Sequence, residues 1–452
     1  MSARLRHLWG RLTGSLWFVP GLIILGAILL AVVMVEVSAR VDREALARLP
    51  RLFGAGVDGS RSLLATIAGS IITVAGVTFS ITVVAVAQAS SQYTPRVLRN
   101  FMRDRPNQIV LGGLAGIFVY CLVVLRTIRG SEELDFIPAI AVLMSVVLAV
   151  VGIGLFVFFI HHIAETLEAG SILTRISRET TDAVDRLFPD QLGEELPDAS
   201  AHGQAALDHG EWQVVPAMST GYIQRVDEQG LLDFARQRRC ILRMERGIGE
   251  FVFDGLPLVS LTGARASDEE SAAVNTLFTV SSYRTVDQDA AFGIRQMVDI
   301  ALKALSPGIN DTTTAVSSVD HLGGVLAHLA PRRVAEPYRT VDGELRVVAL
   351  GPSFESLLKE ALDEIRQHAA GNASVLVRLL GVLEQLVPRT TSARRRALLA
   401  WHADLIRKTA ARSIGLEEDR ADIEQGYARV QRALGEWRDA GSSGIRATSR
   451  QP

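Results

Sequence analysis

Long apolar stretches fill residues 16–35, 63–87, 108–125 and 136–160. Each approaches or exceeds the roughly 20 helical residues that cross a hydrocarbon layer about 30 Å thick, so each is predicted to be a transmembrane helix. Beyond Ile160 the pattern changes. A polar helix is predicted to Leu187, then a linker rich in Pro, Gly, Ala and acids to Gly210. Short strand-like runs follow at 212–215, 221–226, 240–244 and 251–261, with Gly247, Gly249, Gly255 and Pro257 marking turns. From residue 266 apolar positions recur every three or four residues. They predict helices at 289–305, 354–368, 373–386, 392–412 and 417–434, with a strand pair at 338–340 and 345–350. Residues 439–452, rich in Gly, Ser and Arg, are expected to be a disordered tail. The expected fold class is membrane α-helical, with four transmembrane helices, plus a cytoplasmic α+β region. That region comprises a helix and linker (161–210), a small β-barrel-like segment (211–265) and a mainly helical bundle (266–438).

Composition supports a membrane class. The chain has 452 residues, 48% of them apolar, at a net charge of -2, and its mean hydropathy is +0.24, which excludes a disordered or fibrous chain. Residues 1–160 hold 14 Arg, no Lys and 8 acids; the remainder holds 33 basic against 41 acidic residues. The membrane block is therefore basic and the soluble block acidic. Val37, Ser38 and Ala39 resemble a signal-peptide cleavage site. The preceding apolar run is longer than the roughly 7–15 residues of a signal peptide, which favours a retained anchor. Arg4, Arg6 and Arg11 before the first span, and Arg96, Arg99, Arg103 and Arg105 in the second loop, place both segments inside. The expectation is a multi-pass protein of the bacterial inner membrane with cytoplasmic termini. Cys121 and Cys240 give no disulfide framework, in keeping with a reducing compartment.

The spans differ in character. Residues 136–160 include 17 Leu, Ile, Val or Phe, whereas residues 64–83 include nine, together with Thr66, Ser70, Thr73, Thr78, Ser80 and Thr82. At roughly 0.3 to 0.6 kcal/mol per apolar residue, the fourth span gains about twice the insertion energy of the second. Ser62, Thr66, Gly69, Thr73, Gly76, Ser80 and Ala87 recur mostly at helical spacing and share a face. Two readings fit that face. Small residues let helices pack closely, or copies of the face from several subunits line a pore whose candidate residues are Thr66, Ser70, Thr73, Gly76 and Ser80. No Asp, Glu, Lys, Arg or His occurs from Ser62 to Pro95, which favours a passive route over an ion-coupled pump.

Thr94 and Pro95 fit the start of a basic amphipathic helix in which Arg96, Arg99 and Arg103 share one side. These arginines are candidates for contact with anionic lipids, or for attracting anions to a pore mouth. His161, His162 and Glu165 have helical spacing, but no companion ligands are visible and no metal is expected. In the soluble block Arg295 and Asp299, then Asp299 and Lys303, form i, i+4 pairs. Asp311 fits an N-cap and Asn310 a turn. Asp289, Arg295, Asp299, Asn310 and Asp311 are retained as candidates for interdomain or ligand contacts.

Gly249, Glu250, Val252, Gly255 and Leu258 resemble the hairpin of lipoyl, biotinyl and other barrel-sandwich domains. No lysine lies between Trp212 and Leu261 to carry a prosthetic group, so no cofactor is expected. Leu16–Pro20, Phe79–Thr82, Ser90–Asp104, the His-His pair and above all Gln288–Ala315 resemble a bacterial integral membrane family, domain of unknown function 2254. That family typically has proline where this chain has Thr312. The resemblance implies an architecture and no particular chemistry.

No phosphate loop, dinucleotide fingerprint, His-Glu-x-x-His or Gly-x-Ser-x-Gly is present, and Ser356 to Lys359 matches Ser-x-x-Lys without its companion motifs. The expectation is therefore not an enzyme but a homo-oligomeric passive ion channel, selective for anions if the arginines act at its mouth. The alternative is a membrane-anchored scaffold or signalling module without transport. The lipid bilayer, anionic lipids and further copies of the chain are the expected partners; nucleic acid is not.

Overall fold

The computed structural model describes residues 18–40, 56–92, 105–129, 136–166, 168–187, 211–332, 338–341, 344–390 and 392–448. The chain divides into two compact units, Met1–Ser171 and Ile172–Pro452.

The first unit contains α1 (Phe18–Arg40), α2 (Val57–Gln92), α3 (Arg105–Thr127) and α4 (Ala139–Thr166). All four are long and apolar enough to cross a membrane. Pro20 and Pro106 fall in first turns and Pro138 just before α4, where a missing N–H breaks no helical bond. Helix α3 is the hub: it packs against α1, α2 and α4, and buries Val110, Leu114, Ile117, Tyr120 and Val124. Glycine sets how closely the helices approach. A Cβ on Gly112 would lie 2.7 Å from the Cα of Pro20, and one on Gly152 would lie 2.8 Å from Ile71. Apolar surface is no driving force in lipid, so such van der Waals approach and a few polar bonds hold the bundle together. The Tyr120 hydroxyl donates to the Ala141 carbonyl (2.9 Å), and Arg61 donates to the Ile128 carbonyl (3.1 Å).

The second unit begins with α5 (Ala169–Leu187), whose apolar positions Ile172, Leu173, Ile176, Ala183 and Val184 form one buried stripe. Strands follow as β1 (Trp212–Pro216), β2 (Gly221–Val226), β3 (Leu242–Met244), β4 (Phe251–Val252), β5 (Pro257–Thr262) and β6 (Phe278–Ser281), with helices α6 (Glu228–Arg238) and α7 (Asp268–Thr276) between them. Then come α8 (Ala290–Ala304), α9 (Thr312–Leu329), β7 (Tyr338–Val341), β8 (Glu344–Val348), α10 (Phe354–His368), α11 (Ala373–Leu386), α12 (Ala393–Ser413) and α13 (Glu417–Thr448). Helices α8 to α13 pack as a bundle through Met297, Leu326, Leu358, Leu380 and Ile406.

The barrel-like expectation for residues 211–265 is corrected. Among the described residues the strands form two open sheets, β1-β5-β3-β8-β7 and β4-β2-β6. Closure requires each strand to be paired on both sides, whereas β1 and β7 remain edges. Strands β4 and β5, read as one hairpin, separate into different sheets. Strand β8 arrives from far downstream and pairs in parallel with β3, Leu242 opposite Val347. Helix α13 also runs on to Thr448, so residues 439–448 are helical rather than a tail. Ile423 and Val430 anchor its first half, and extending an established helix costs far less than nucleating one.

Candidate functional site

The five pore-lining candidates lie together on α2. Thr66, Ser70, Thr73, Gly76 and Ser80 are all exposed, while Leu64, Ala68, Ile71, Thr78 and Ala85 are buried. At 3.6 residues per turn the two sets occupy opposite sides. The hydroxyl-rich side of α2 therefore points away from its own bundle. Cβ atoms built on Gly69 and Gly76 would meet nothing within 4 Å. Gly21, Gly26 and Gly154 are open as well, but they sit among exposed Leu, Ile and Val rather than hydroxyls. Thr66 donates to the Ser62 carbonyl (2.7 Å) and Thr73 to the Gly69 carbonyl (2.8 Å). Those protons are satisfied within the helix, and the oxygens still present lone pairs outward.

Arg96, Arg99 and Arg103 lie outside the described residues. His161 pairs with Glu165 at 3.1 Å, and His162 stacks on Phe158 with ring centroids 5.7 Å apart. No cluster of three or more His, Cys, Asp or Glu suited to a metal occurs among the described residues.

The five soluble candidates fall in three places. Asp289 is the N-cap of α8 and accepts from the Phe292 N–H (2.9 Å). Burial pushes its carboxyl up, opposed by Arg284, which pairs with it at 2.8 Å. Gly249 lets this ion pair sit against the backbone: a Cβ there would lie 2.4 Å from the Asp289 carboxylate, and its φ is +85°. Arg295 and Asp299 lie about two and three turns further along α8. Their pair (2.8 Å) extends to Glu360 (3.4 Å) and to a bidentate contact with Glu364 on α10. The Glu364 bond, foremost, holds the guanidinium above its usual range and the carboxyl below its own. This is a clamp between two helices that reaches beyond the i, i+4 pair. Asn310 and Asp311 lie at the far end of α8. Asn310 has φ +49°, and Asp311 caps α9 by accepting from the Thr314 N–H (3.0 Å) and hydroxyl (2.6 Å). Those two bonds hold its carboxyl below the usual range. Thr312, where the family pattern has proline, accepts a hydrogen bond from Asn372 at 2.9 Å; a proline could not.

A feature absent from the sequence expectations surrounds Asp289: a half-open cleft of about 660 Å³ within the second unit. The helices α6, α8, α10 and α12 all begin on it, bringing Glu228, Asp289, Ser353 and Ser392 to its wall, with Arg339, Arg394 and Arg395. One signal was legible in advance. Arg394, Arg395 and Arg396 occupy the first turn of α12, where the helix dipole disfavours cations.

Four membrane-length helices joined to a large mixed α/β unit define a membrane protein with four candidate spans. Residues 13–385 match the model of the family described as predicted membrane protein, DUF2254, and the chain belongs to that family. It is 32% identical, over 95% of its own length and 82% of theirs, to uncharacterized proteins of Mycobacterium tuberculosis (strain CDC 1551 / Oshkosh) and Mycobacterium bovis (strain ATCC BAA-935 / AF2122/97). No solved structure matches it.

Proposed function

We propose that the protein is an oligomeric passive channel of the bacterial inner membrane. Copies of α2 meet around a shared path, and the soluble unit, on the cytoplasmic side, assembles or regulates it. One observation carries this reading: Thr66, Ser70, Thr73, Gly76 and Ser80 face away from the bundle, and a Cβ on Gly69 or Gly76 would meet nothing within 4 Å among the described residues. Acyl chains offer hydroxyls no partner, whereas a second copy or a water column does. The absence of charged side chains from Ser62 to Pro95 favours passive conduction. With two threonine protons spent on the helix, Thr66 and Thr73 offer oxygens, and the wall as a whole carries no charge. Anion preference therefore rests on Arg96, Arg99 and Arg103 at the mouth.

Planar bilayers test the reading. Thr73→Lys is expected to change unitary conductance while the oligomer, measured by light scattering in detergent, persists. Arg99→Glu combined with Arg103→Glu is expected to shift the reversal potential in a salt gradient; an unmoved potential rejects anion selection there. The scaffold reading draws on the satisfied hydroxyls, which suit dry helix packing equally well. An intact oligomer that passes no current would decide for it.

A further inference from the structure

The cleft in the soluble unit has two unlike walls. One is apolar, with Ile248, Leu350, Pro352, Phe354 and Leu398. The other carries arginine. Arg395 lies over the Phe354 ring, 4.7 Å from its centroid. Its Nη1 donates to the Ala330 and Arg332 carbonyls at 2.8 Å each. Those are neutral acceptors, and among the described residues no carboxylate pairs with it. Desolvation alone lowers its affinity for a proton. Three of the four acids on the wall are ion-paired, Glu355 with an arginine of the same wall. Asp289 pairs with Arg284 (2.8 Å), Glu250 with Arg246 (3.2 Å) and Glu355 with Arg394 (3.4 Å), which leaves Glu228.

Position compounds the imbalance. Arg394, Arg395 and Arg396 crowd the first turn of α12, which has no acidic residue there and no side-chain cap hydrogen bond at Ser392. Arg396 is itself buried, donating to the Thr390 carbonyl (2.6 Å). A half-buried guanidinium that meets two carbonyls and an aromatic ring but no carboxylate among the described residues, at the positive end of a helix, keeps a charge that an anion would offset. Rules of local consistency are broken in this way at binding sites more often than elsewhere.

We propose that this cleft binds a small organic anion, its phosphate or carboxylate group held by Arg395 beside the start of α12 and its apolar body against Ile248, Leu350, Pro352 and Leu398. The helix that follows the fourth span in sequence ends on the same wall at Leu187. Arg186 beside it donates to the Asp287 carbonyl (3.3 Å), two residues from the Asp289 cap. An occupied cleft thus touches the terminus of α5 directly. The site is independent of whether the membrane unit conducts.

Isothermal titration of the full-length protein in detergent tests it, with phenyl phosphate and benzoate as anionic probes and benzyl alcohol and inorganic phosphate as partial ones. Saturable binding of one aromatic anion is expected, about tenfold or more tighter than either partial probe; which anion wins distinguishes phosphate from carboxylate. Arg395→Gln is expected to weaken it about tenfold or more. Leu398→Glu, which places a negative charge on the apolar wall without touching a structural bond, is expected to do the same with unchanged thermal unfolding. Absence of saturable binding by both anions overturns the proposal. So does equal binding of benzyl alcohol, or binding that Leu398→Glu leaves intact, whether or not Arg395→Gln folds.

Discussion

Helices α2 and α3 both carry glycines at intervals suited to close packing, yet the two sets meet opposite surroundings. On α3, Gly112, Gly113 and Gly116 lie against Pro20, Leu155 and Ala27, so the space a side chain would need is occupied by the same chain. On α2, Gly69 and Gly76 face open space, flanked by Thr66, Ser70, Thr73 and Ser80. The outward side of α4 is different again, with Val147, Val150, Ile153 and Val157, side chains that suit lipid without further explanation. The same residue type therefore has two meanings in one bundle. A filled glycine is spent on the fold, and an open one among hydroxyls remains available for something outside the chain.

Substitution at the filled positions is expected to have the largest effect. Gly112→Leu drives a side chain into the Pro20 backbone, and Gly293→Leu drives one into Thr180, whose Oγ1 would lie 2.0 Å from the new Cβ. Each is expected to destabilise its unit by about 3 kcal/mol or more, read as a lowered unfolding midpoint in detergent. Gly76→Leu separates the two meanings. Its expected cost to the single chain is within about 0.5 kcal/mol, while conductance in planar bilayers is altered and the oligomer persists. An unchanged conductance would break the comparison by showing that the open face lines no path.

Polar groups extend the contrast to pH. His402 is enclosed, 2% exposed and 3.5 Å from Asp363, and burial first of all lowers its pKa from 6.5, with Asp363 opposing and Arg366 assisting. The unfolded chain then binds the proton more readily, so stability is complete above pH 6.5 and declines as pH falls below it. The slope is at most about 1.4 kcal/mol per pH unit for one proton. His402→Gln is expected to flatten the melting temperature between pH 7 and pH 5, whereas Thr73→Val on the open face leaves its pH dependence unchanged. A small effect is also expected from Thr312→Pro. It exchanges the Asn372 hydrogen bond for a residue preorganised at the first helical position, a net change under about 1 kcal/mol by thermal unfolding.

Much of the architecture was legible because its signals are local. The spans at 18–40, 57–92, 105–127 and 139–166 follow from apolar length. Helices α10 and α11 have their predicted bounds, since each shows three-four periodicity and starts directly after its own cap, Ser353 or Asn372. Asp311 was readable as a cap for the same reason, whereas Asp289, retained only as a contact candidate, proves to cap α8 as well. Short elements were harder. Strand β6 and helices α6 and α7 bury few residues, with Val274 the buried one of α7, so no periodicity announced them. Ser267 and Glu270 did form a capping box visible in the sequence.

By itself the sequence determined that four helices are long and apolar enough to cross a membrane, where several helices begin and end, and which helix carries the hydroxyl stripe. These depend on neighbours within a few positions. Tertiary structure alone decided that the stripe points outward and that β8 closes on β3 in parallel, separating β4 from β5. It also decided that four helix starts and Arg395 converge on one cleft. Those outcomes follow from contacts between residues tens to more than a hundred positions apart, for which periodicity, caps and composition carry no information.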